Sequence, residues 1–420
     1  MENNSGKALE RLVALFDEES FVEIGALSAA EVVTGYGLID GAVVYAFSEN
    51  GSGMTGAAAD KIKKLYENAV KNGFPVIAVY DSKGGDVKDG RRLLAAYGNI
   101  AEMCARLSGV VPQSSVVAGL CAGAAAVVCC MADFVIMTEK AELFITPPFL
   151  SEDSAARGGS SEAASSSGTA AFVEKDEAAA LEKARSLIKI LPPNNLEISG
   201  NDYFEENDAV ITDALNARDL ADAIADKDSL IEVCEGFGDV FTALGSISWR
   251  AVGFVAAYGR LSADDCVKTA RFVGFCDAFS IPVLTLTDSE GFKQSSEAEL
   301  TGFMRDAAKL TQTYATAVIP KISLITGSAV GGAFVALSSM GDITLAYENA
   351  VIYPIMPNTA AVFMGKDFNE DEVGALCAAK EGFIDRVIKP ENARTEILSA
   401  LDVLSGKRVV PPPRKHVSNL

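Results

Sequence analysis

Histidine is almost absent from these 420 residues: the single copy is His416, near the carboxyl end. A Ser-His-Asp or Cys-His nucleophile, or a histidine zinc site, would have to recruit that tail, so metal and nucleophile readings fail first. No C-x-x-C pair occurs among the eight cysteines at 104, 121, 129, 130, 234, 266, 276 and 377. They sit mostly in apolar stretches and read as buried free thiols of a reducing, cytoplasmic compartment. The phosphate loop G-x-x-x-x-G-K-[ST] is missing, and the glycines of GSAVGGAF lack the spacing of a dinucleotide fingerprint. Basic residues are scarce, 36 Lys and Arg against 57 Asp and Glu, and the formal charge of -21 repels nucleic acid. The amino terminus MENNSGKALERLVALFDEESF has no apolar core behind a basic start, so no secretory signal is expected. The most membrane-like run, Val116 to Ala132, is shorter than the roughly 20 residues a bilayer crossing needs and reads as a buried strand and helix.

What the sequence does contain is a long-period repeat. VVTGYGLIDGAVVYAFSE, ADKIKKLYENAVKNG, FPVIAVYDSKGG and SSVVAGLCAGAAAVVCCMADFVIM are followed, in the same order, by GSISWRAVGFVAAY, DDCVKTARFVGFCDAF, SIPVLTLTDSEGF and KISLITGSAVGGAFVALSSMGDITLAY. The landmarks keep step: Pro75 with Pro282 and Asp81 with Asp288 are 207 apart, Gly119 with Gly327 and Gly123 with Gly331 are 208 apart. Each half reads as strand, helix, strand, Gly-rich turn, helix, the pattern of an α/β fold with a buried sheet. The halves are expected at 1–195 and 230–420, with 196–229 as an acidic connecting segment. ARGGSSEAASSSG, residues 156–168, reads as a flexible linker or mobile loop, followed by the helix EKDEAAALEKARSLIKI.

Both halves end a strand in a Gly-rich turn that opens a helix of small residues, LCAGAAAVV and AVGGAFVAL. Backbone N–H groups at a helix start are unpaired and partly positive, and small residues let a carbonyl approach them. Such turns either permit tight helix packing or form oxyanion holes; their recurrence in register favours the holes, and enolate stabilisation is chemistry that needs no histidine.

On these segments the chain resembles the carboxyltransferase subunits of biotin-dependent enzymes, the family of propionyl-CoA carboxylase beta chains and of methylmalonyl-CoA and glutaconyl-CoA decarboxylase alpha subunits. ALERLVALFDEESFVEIGAL is similar to the family's opening helix, SGTAAFVEKDEAAALEKARSLIKILPPNN to its central helix, ARFVGFCDAFSIPVLTLTDSEGF to its most recognisable segment, and PPPRKHVSNL to its ending. The resemblance implies two tandem crotonase-like (ClpP/crotonase) ββα-superhelix domains from an internal duplication, assembled as a ring-shaped hexamer with active sites between subunits. It implies acyl-CoA on the amino-terminal half and biotin on the carboxyl-terminal half, each beside a backbone oxyanion hole. Carried over residue by residue, the acyl-CoA hole involves Gly85, Gly123 and Ala124, and the biotin hole Gly291, Phe292, Gly331, Gly332 and Ala333. No Ala-Met-Lys-Met motif and no ATP-grasp segment occur, so biotin is expected on a separate carrier protein; a membrane decarboxylase subunit is a further family partner.

The chain departs from the family where Ser82-Lys83-Gly84-Gly85-Asp86-Val87-Lys88-Asp89-Gly90 stands for Ser-Gly-Gly-Ala-Arg-Ile-Gln-Glu-Gly, replacing an arginine by Asp86. Lys83, Lys88 and Arg91 are the candidate cations for the CoA phosphates. Lys293-Gln294-Ser295 replaces Leu-Pro-Gly, and Val330 replaces a tyrosine. Two readings follow: a compact carboxyltransferase with altered substrate choice, or a non-catalytic scaffold of the carboxyltransferase ring. A biotin-free hydratase or thioesterase would need a carboxylate pair or histidine at the thioester, and no such pair is evident.

Overall fold

The run Val76–Tyr80 is apolar at every position and all five residues are buried, as a strand covered on both faces requires. It lies at the centre of a sheet in the computed structural model of the chain, which describes residues 6–147, 158–198, 204–366 and 368–410. The tail 411–420, with His416, lies outside the described residues. The chain divides into two compact units, Met1–Ser199 and Gly200–Leu420. The strands of the first are β1 (Val22–Glu23), β2 (Val32–Ile39), β3 (Ala42–Glu49), β4 (Val76–Tyr80), β5 (Gln113–Val117), β6 (Leu120–Ala122), β7 (Phe134–Thr138), β8 (Glu142–Phe144) and β9 (Phe172–Glu174). Those of the second are β10 (Ile231–Glu232), β11 (Phe241–Ile247), β12 (Arg250–Leu261), β13 (Val283–Phe292), β14 (Lys321–Val330), β15 (Ile343–Tyr347), β16 (Val351–Tyr353) and β17 (Arg386–Ile388).

The two sheets have one topology. Their orders are β1-β2-β3-β4-β5-β7-β9 and β10-β11-β12-β13-β14-β15-β17, antiparallel over the first three strands and parallel thereafter. β14 is one long strand where the first unit has β5 and β6; its end pairs with β16 as β6 pairs with β8. The helices Gly56–Asn72 and Ala263–Ala278 cross over between matching strands, each capped by a hydroxyl, Thr55 or Ser262, that accepts an N–H of its first turn. Among the described residues no helix is long and apolar enough to cross a membrane; Val116–Ala132 instead holds the end of β5, β6 and the short helix Ala124–Cys129.

Two stretches are more ordered than their composition suggests. Residues 204–229, expected to connect the halves, carry the helix Ala217–Ile224, and Ile211, Leu220, Ala221, Ala223, Ile224 and Ala225 are buried in the second unit's core. The acidic residues of this segment mask an apolar face at helical spacing. Of the Ser/Gly stretch 156–168, residues 158–168 fold back: Ser160 caps the helix Ser161–Ser166, the Ser161 hydroxyl donates to Glu139 O, and Ala164 joins the core. Residues 156 and 157 lie outside the described residues.

A polar clamp also repeats. Asp17 accepts the N–H groups of Asp40 and Gly41 in the β2–β3 turn, while Arg185 donates to Asp17 Oδ1 at 2.9 Å and to Leu15 O at 2.7 Å. Asp226 accepts the N–H groups of Ser248 and Trp249 in the β11–β12 turn, and Arg394 donates to Asp226 Oδ1 at 2.8 Å and to Ile224 O. Asp17 with Asp226, and Arg185 with Arg394, are each 209 residues apart. Both turns have positive φ at their two central residues, 48° and 82° at Asp40-Gly41 and 49° and 66° at Ser248-Trp249. Asp-Gly suits such a turn and Ser-Trp does not, so the second hairpin leans harder on its clamp. There the Asp226 side chain is fully buried. Burial pushes its carboxyl up, but the Ser246 hydroxyl, Arg394 and the two turn N–H groups outweigh that and hold it below the ordinary range.

Removing one partner of a buried ion pair costs about 3–5 kcal/mol. Asp226→Ala is therefore expected to lower stability by that order in chemical denaturation. Asp17→Ala, whose carboxylate is one-third exposed, is expected to cost clearly less.

Candidate active site

Two backbone segments meet beyond the carboxyl end of the central strand of each unit. In the first, Ser82 N–H donates to Leu120 O at 2.8 Å, which sets the segment after β4 alongside β6. Gly119 is packed against the Asp81 carboxylate and a Cβ there would collide with it; Gly327 stands in the same relation to Asp288. Asp288 Oδ1 accepts Ser328 N–H at 2.7 Å, so this carboxylate caps the turn.

The segment after β4 is held at alternate residues. Met54 N–H donates to Gly84 O and Asp86 N–H to Met54 O, so the N–H of the intervening Gly85 points away from Met54. In the second unit Lys293 N–H donates to Leu261 O and Leu261 pairs with Phe292, which turns Phe292 N–H the same way. Ser82 Oγ accepts Gly84 N–H, and Ser289 Oγ accepts Gly291 N–H at 3.3 Å.

The helix starts opposite are equally alike. Gly123 and Gly331 have φ of 64° and 54°, a region open to glycine. The N–H of each donates to the adjoining strand, Gly123 to Phe144 O at 2.9 Å and Gly331 to Tyr353 O at 3.1 Å. The next residue opens the helix, and its N–H has no intrahelical partner. The expected holes are thereby narrowed. Gly123, Gly291 and Gly331 spend their N–H groups inside the fold, and Ala333 is fully buried. The outward donors reduce to one pair per unit, Gly85 with Ala124 and Phe292 with Gly332. Glycine spacing singles out Gly123 and Gly331, but these two shape the backbone and their successors present the N–H.

In the second unit these groups line a pocket of about 600 Å³ with Arg260, Glu290, Lys293, Gln294, Ser295 and Val330 around it. Gly291, Phe292, Gly331 and Gly332 all reach its wall. A Cβ on Gly332 would collide with the Phe292 ring, which itself stands edge-on to Phe303 at 5.5 Å. In the first unit a Cβ on Gly85 would collide with Leu93. Both Gly85 and Ala124 are exposed. Lys83, Lys88 and Arg91 are exposed around Gly85, and none has an ion-pair partner among the described residues, whereas Arg92 pairs with Asp60 at 3.4 Å. The two departures are absorbed locally: Asp86 Oδ1 accepts Lys88 N–H at 2.9 Å, and Lys293 pairs with Asp239 at 3.3 Å.

Sequence reasoning missed a charged network around Asp81 in the first unit. Arg11 donates to Asp81 at 2.7 Å, to both Glu177 oxygens and to Glu49 O; Glu49 accepts Asp81 N–H at 2.9 Å. The signal was present in the helix Gly6–Leu15, where Arg11 falls on the buried face with Ala8, Leu12 and Leu15. Glu49 is buried, and burial pushes its carboxyl up to about 8 despite the Asp81 N–H.

The chain matches the family described as carboxyl transferase domain over residues 2–418. It is 34% identical to the methylmalonyl-CoA decarboxylase alpha subunit of Propionigenium modestum, covering 98% of this chain and 93% of that protein. It is 33% identical to the methylmalonyl-CoA carboxyltransferase 12S subunit of Propionibacterium freudenreichii subsp. shermanii, covering 99% and 92%. The first alignment runs over 481 positions against a chain of 420, so that relative carries internal segments this chain lacks. Among solved structures, transcarboxylase 12S, described as a hexamer assembly with hydrolysed methylmalonyl-coenzyme A bound, superposes with a TM-score of 0.91 at 32% identity over 99% of this chain and 94% of that one.

A carboxyl raised by burial keeps its proton in the folded state while the unfolded chain ionises, so stability falls as pH rises between the two values. For Glu49 that window runs from its ordinary 4.5 to about 8. Asp133, buried and raised to about 7, acts in the same direction. Melting temperatures taken from pH 5 to 8 should decline in the native protein and decline less in Glu49→Gln, because the amide carries no proton to lose.

Proposed function

The chain belongs to the carboxyl transferase domain family, and from that premise we propose that it moves a carboxyl group between biotin and a short-chain acyl-CoA, with the enolate held by backbone N–H groups. It is an enzyme of biotin-dependent acyl-CoA carboxylation and decarboxylation, built on two α/β units of the crotonase type. The observation that carries the mechanistic reading is the recurrence of one donor pair, Gly85 with Ala124 and Phe292 with Gly332, each beside a glycine whose own N–H is already spent.

We assign the first pair to the thioester. Its two N–H groups would donate to the carbonyl oxygen as the α carbon loses its proton or its carboxyl group, and charge developing on that oxygen is what preorganised donors stabilise. Lys83, Lys88 and Arg91 would draw the CoA phosphates to the same rim. The second pair would hold the biotin ureido oxygen. The residues present fit such a planar, neutral ring: the pocket wall is backbone glycine and the Phe292 ring, and Gly332 is a position a side chain would fill. When bound, biotin supplies the carboxyl group and a ureido oxygen able to take the substrate proton, so no side-chain base is asked for. The biotin would come on a separate carrier protein. Assembly as a hexamer, as described for transcarboxylase 12S, and work beside a membrane decarboxylase subunit belong to the same proposal. The likeness to methylmalonyl-CoA decarboxylase and carboxyltransferase subunits over nearly the whole chain supports catalysis over a scaffold role.

The test is carboxyl transfer from a carboxylated biotin carrier to acetyl-, propionyl-, butyryl- and glutaconyl-CoA, followed by mass. Transfer to one of them names the substrate class; no transfer by a folded protein that still binds the carrier would sink the reading. Proline is tolerated at the first helical position and lacks the N–H. Ala124→Pro should therefore lower kcat by about a hundred- to a thousand-fold, the usual cost of one oxyanion donor, with melting little changed. Gly332→Ala should abolish the biotin half-reaction and leave acyl-CoA binding intact in a titration. Reversing Lys83, Lys88 and Arg91 to Glu should raise KM for acyl-CoA, more so at low salt, and leave kcat near its native value.

A further inference from the structure

The segments that carry Gly85 and Phe292 are held by different means. In the second unit β12 and β13 pair from Gly253 with Val283 through to Leu261 with Phe292, across one bulge at Gly259 and Arg260. The donor Phe292 is therefore the last residue of a strand. In the first unit β3 stops at Glu49 and β4 at Tyr80, so Gly85 lies five residues beyond the strand that leads to it. Over that interval the two chains touch through Gly51 N–H to Asp81 O at 2.8 Å, Lys83 N–H to Ser52 O at 3.1 Å, and an isolated bridge of Met54 with Gly85. The place of Gly85 thus depends on how the two chains leave the sheet.

One side chain stands at that exit. Arg11, on the helix Gly6–Leu15, is 4% exposed. Its Nη1 donates to Glu49 O, at the end of β3, at 3.0 Å, and its Nη2 to Asp81 Oδ2, just past β4, at 2.7 Å. Asp81 N–H in turn donates to Glu49 Oε2 at 2.9 Å, so Arg11, Glu49 and Asp81 close a ring across the two chains. Glu177 anchors the guanidinium from outside, accepting from Nε at 2.9 Å and from Nη2 at 2.8 Å. A guanidinium carries its donors in a rigid planar fork, so groups bonded to several of them are fixed relative to one another.

The second unit has no such ring. The hairpins close at Ile39 with Ala42 and at Ile247 with Arg250, which puts Ala257 in the place of Glu49. Leu220 stands six residues before Asp226, as Arg11 does before Asp17. Both Ala257 and Leu220 are buried in apolar surroundings, and Asp288, kept from the original trio, caps Ser328 N–H instead. The Asp17 and Asp226 clamps recur because both folds need them; the Arg11 ring occurs where the donor lies beyond its strand.

We propose that Arg11 is a positioning residue for the acyl-CoA half of the reaction: by tying Glu49 to Asp81 where the strands end, it fixes the Gly85 N–H that meets the thioester. The inference rests on the assignment of Gly85 and Ala124 to the thioester. Arg11 touches no substrate and acts through Asp81 and the backbone that follows it.

The test is deuterium exchange of the full-length protein, read by mass on peptides spanning 50–54 and 82–90 and on their counterparts at 257–261 and 289–293, together with transfer kinetics. In Arg11→Met the first two peptides should exchange on the order of ten-fold faster and the second two at the native rate, as expected of local rather than global opening. Transfer to acyl-CoA should lose up to about a hundred-fold in kcat, the cost of misplacing a group by about 1 Å, with the biotin half-reaction unchanged. Glu177→Gln leaves the bonds of Arg11 to Asp81 and Glu49 in place; it should lower the melting temperature yet keep native exchange at 82–90 and native kcat, which separates position from stability. Should Arg11→Met not fold, Asp81→Asn keeps the shape without the charge and is read in the same way. Native exchange at 82–90 in the folded variant would overturn the proposal whatever the turnover, and so would faster exchange with native kcat. Absence of transfer in the native protein would overturn the thioester assignment itself, so the two failures are distinguishable.

Discussion

A single hydrogen bond, made once in each unit, decides what the rest of the active-site backbone can do. Gly123 and Gly331 give their N–H groups to the carbonyls of Phe144 and Tyr353, and the positive φ this requires is open to them because they lack a Cβ. The chain then enters its helix at an angle that presents the next N–H outward. Without that bond the first turn of either helix would have no fixed direction, and a donor with no fixed direction stabilises charge poorly because it must reorganise as the reaction proceeds. The parallel pairing of β4 with β5, and of β13 with β14, serves to bring the second donor alongside.

The two units share this geometry and differ in what surrounds it. In the first, the carboxylate after β4 is answered by Arg11 and Lys7, and Glu177 completes the group. At the position of Arg11 the second unit has Leu220, buried in the core. The exchange at the holes is reciprocal: Gly85 lies opposite Ala124, whereas Phe292 lies opposite Gly332, so whichever segment carries the side chain, its partner is small enough to admit it. One backbone plan thus provides an open, cation-rimmed donor pair in the first unit and an aromatic-walled pocket in the second.

Much of this was legible in the sequence, and the part that was not has physical causes. Continuous apolar runs such as PVIAVYD and PVLTLTD announced strands buried on both faces, and the constant offset of Pro75, Asp81, Gly119 and Gly123 from their counterparts announced two like units. The glycines drew attention to the right turns, but the sequence could not say which N–H groups the fold consumes, because that depends on Phe144 and Tyr353, some 20 residues further on. The clamps of Asp17 with Arg185 and Asp226 with Arg394 span nearly 170 residues each; a charged pair at that separation has no local pattern. Composition misled at residues 204–229 and 158–168, where acidic or small polar residues hid a few apolar side chains at helical spacing. Asp86 stood where the family has a basic residue and Lys293 where it has an apolar one, and the structure gives each a partner of its own.

Trp249 is the only tryptophan in the chain. It sits half-exposed at the tip of the β11–β12 hairpin, its backbone held in the left-handed region by the Asp226 carboxylate. Ten tyrosines are spread over both units, so the indole is an optical label confined to the second. Its emission reports on the strand turn that the Asp226 carboxylate holds, while the far-ultraviolet signal sums the helices and strands of both units, so the two signals weigh the second unit differently.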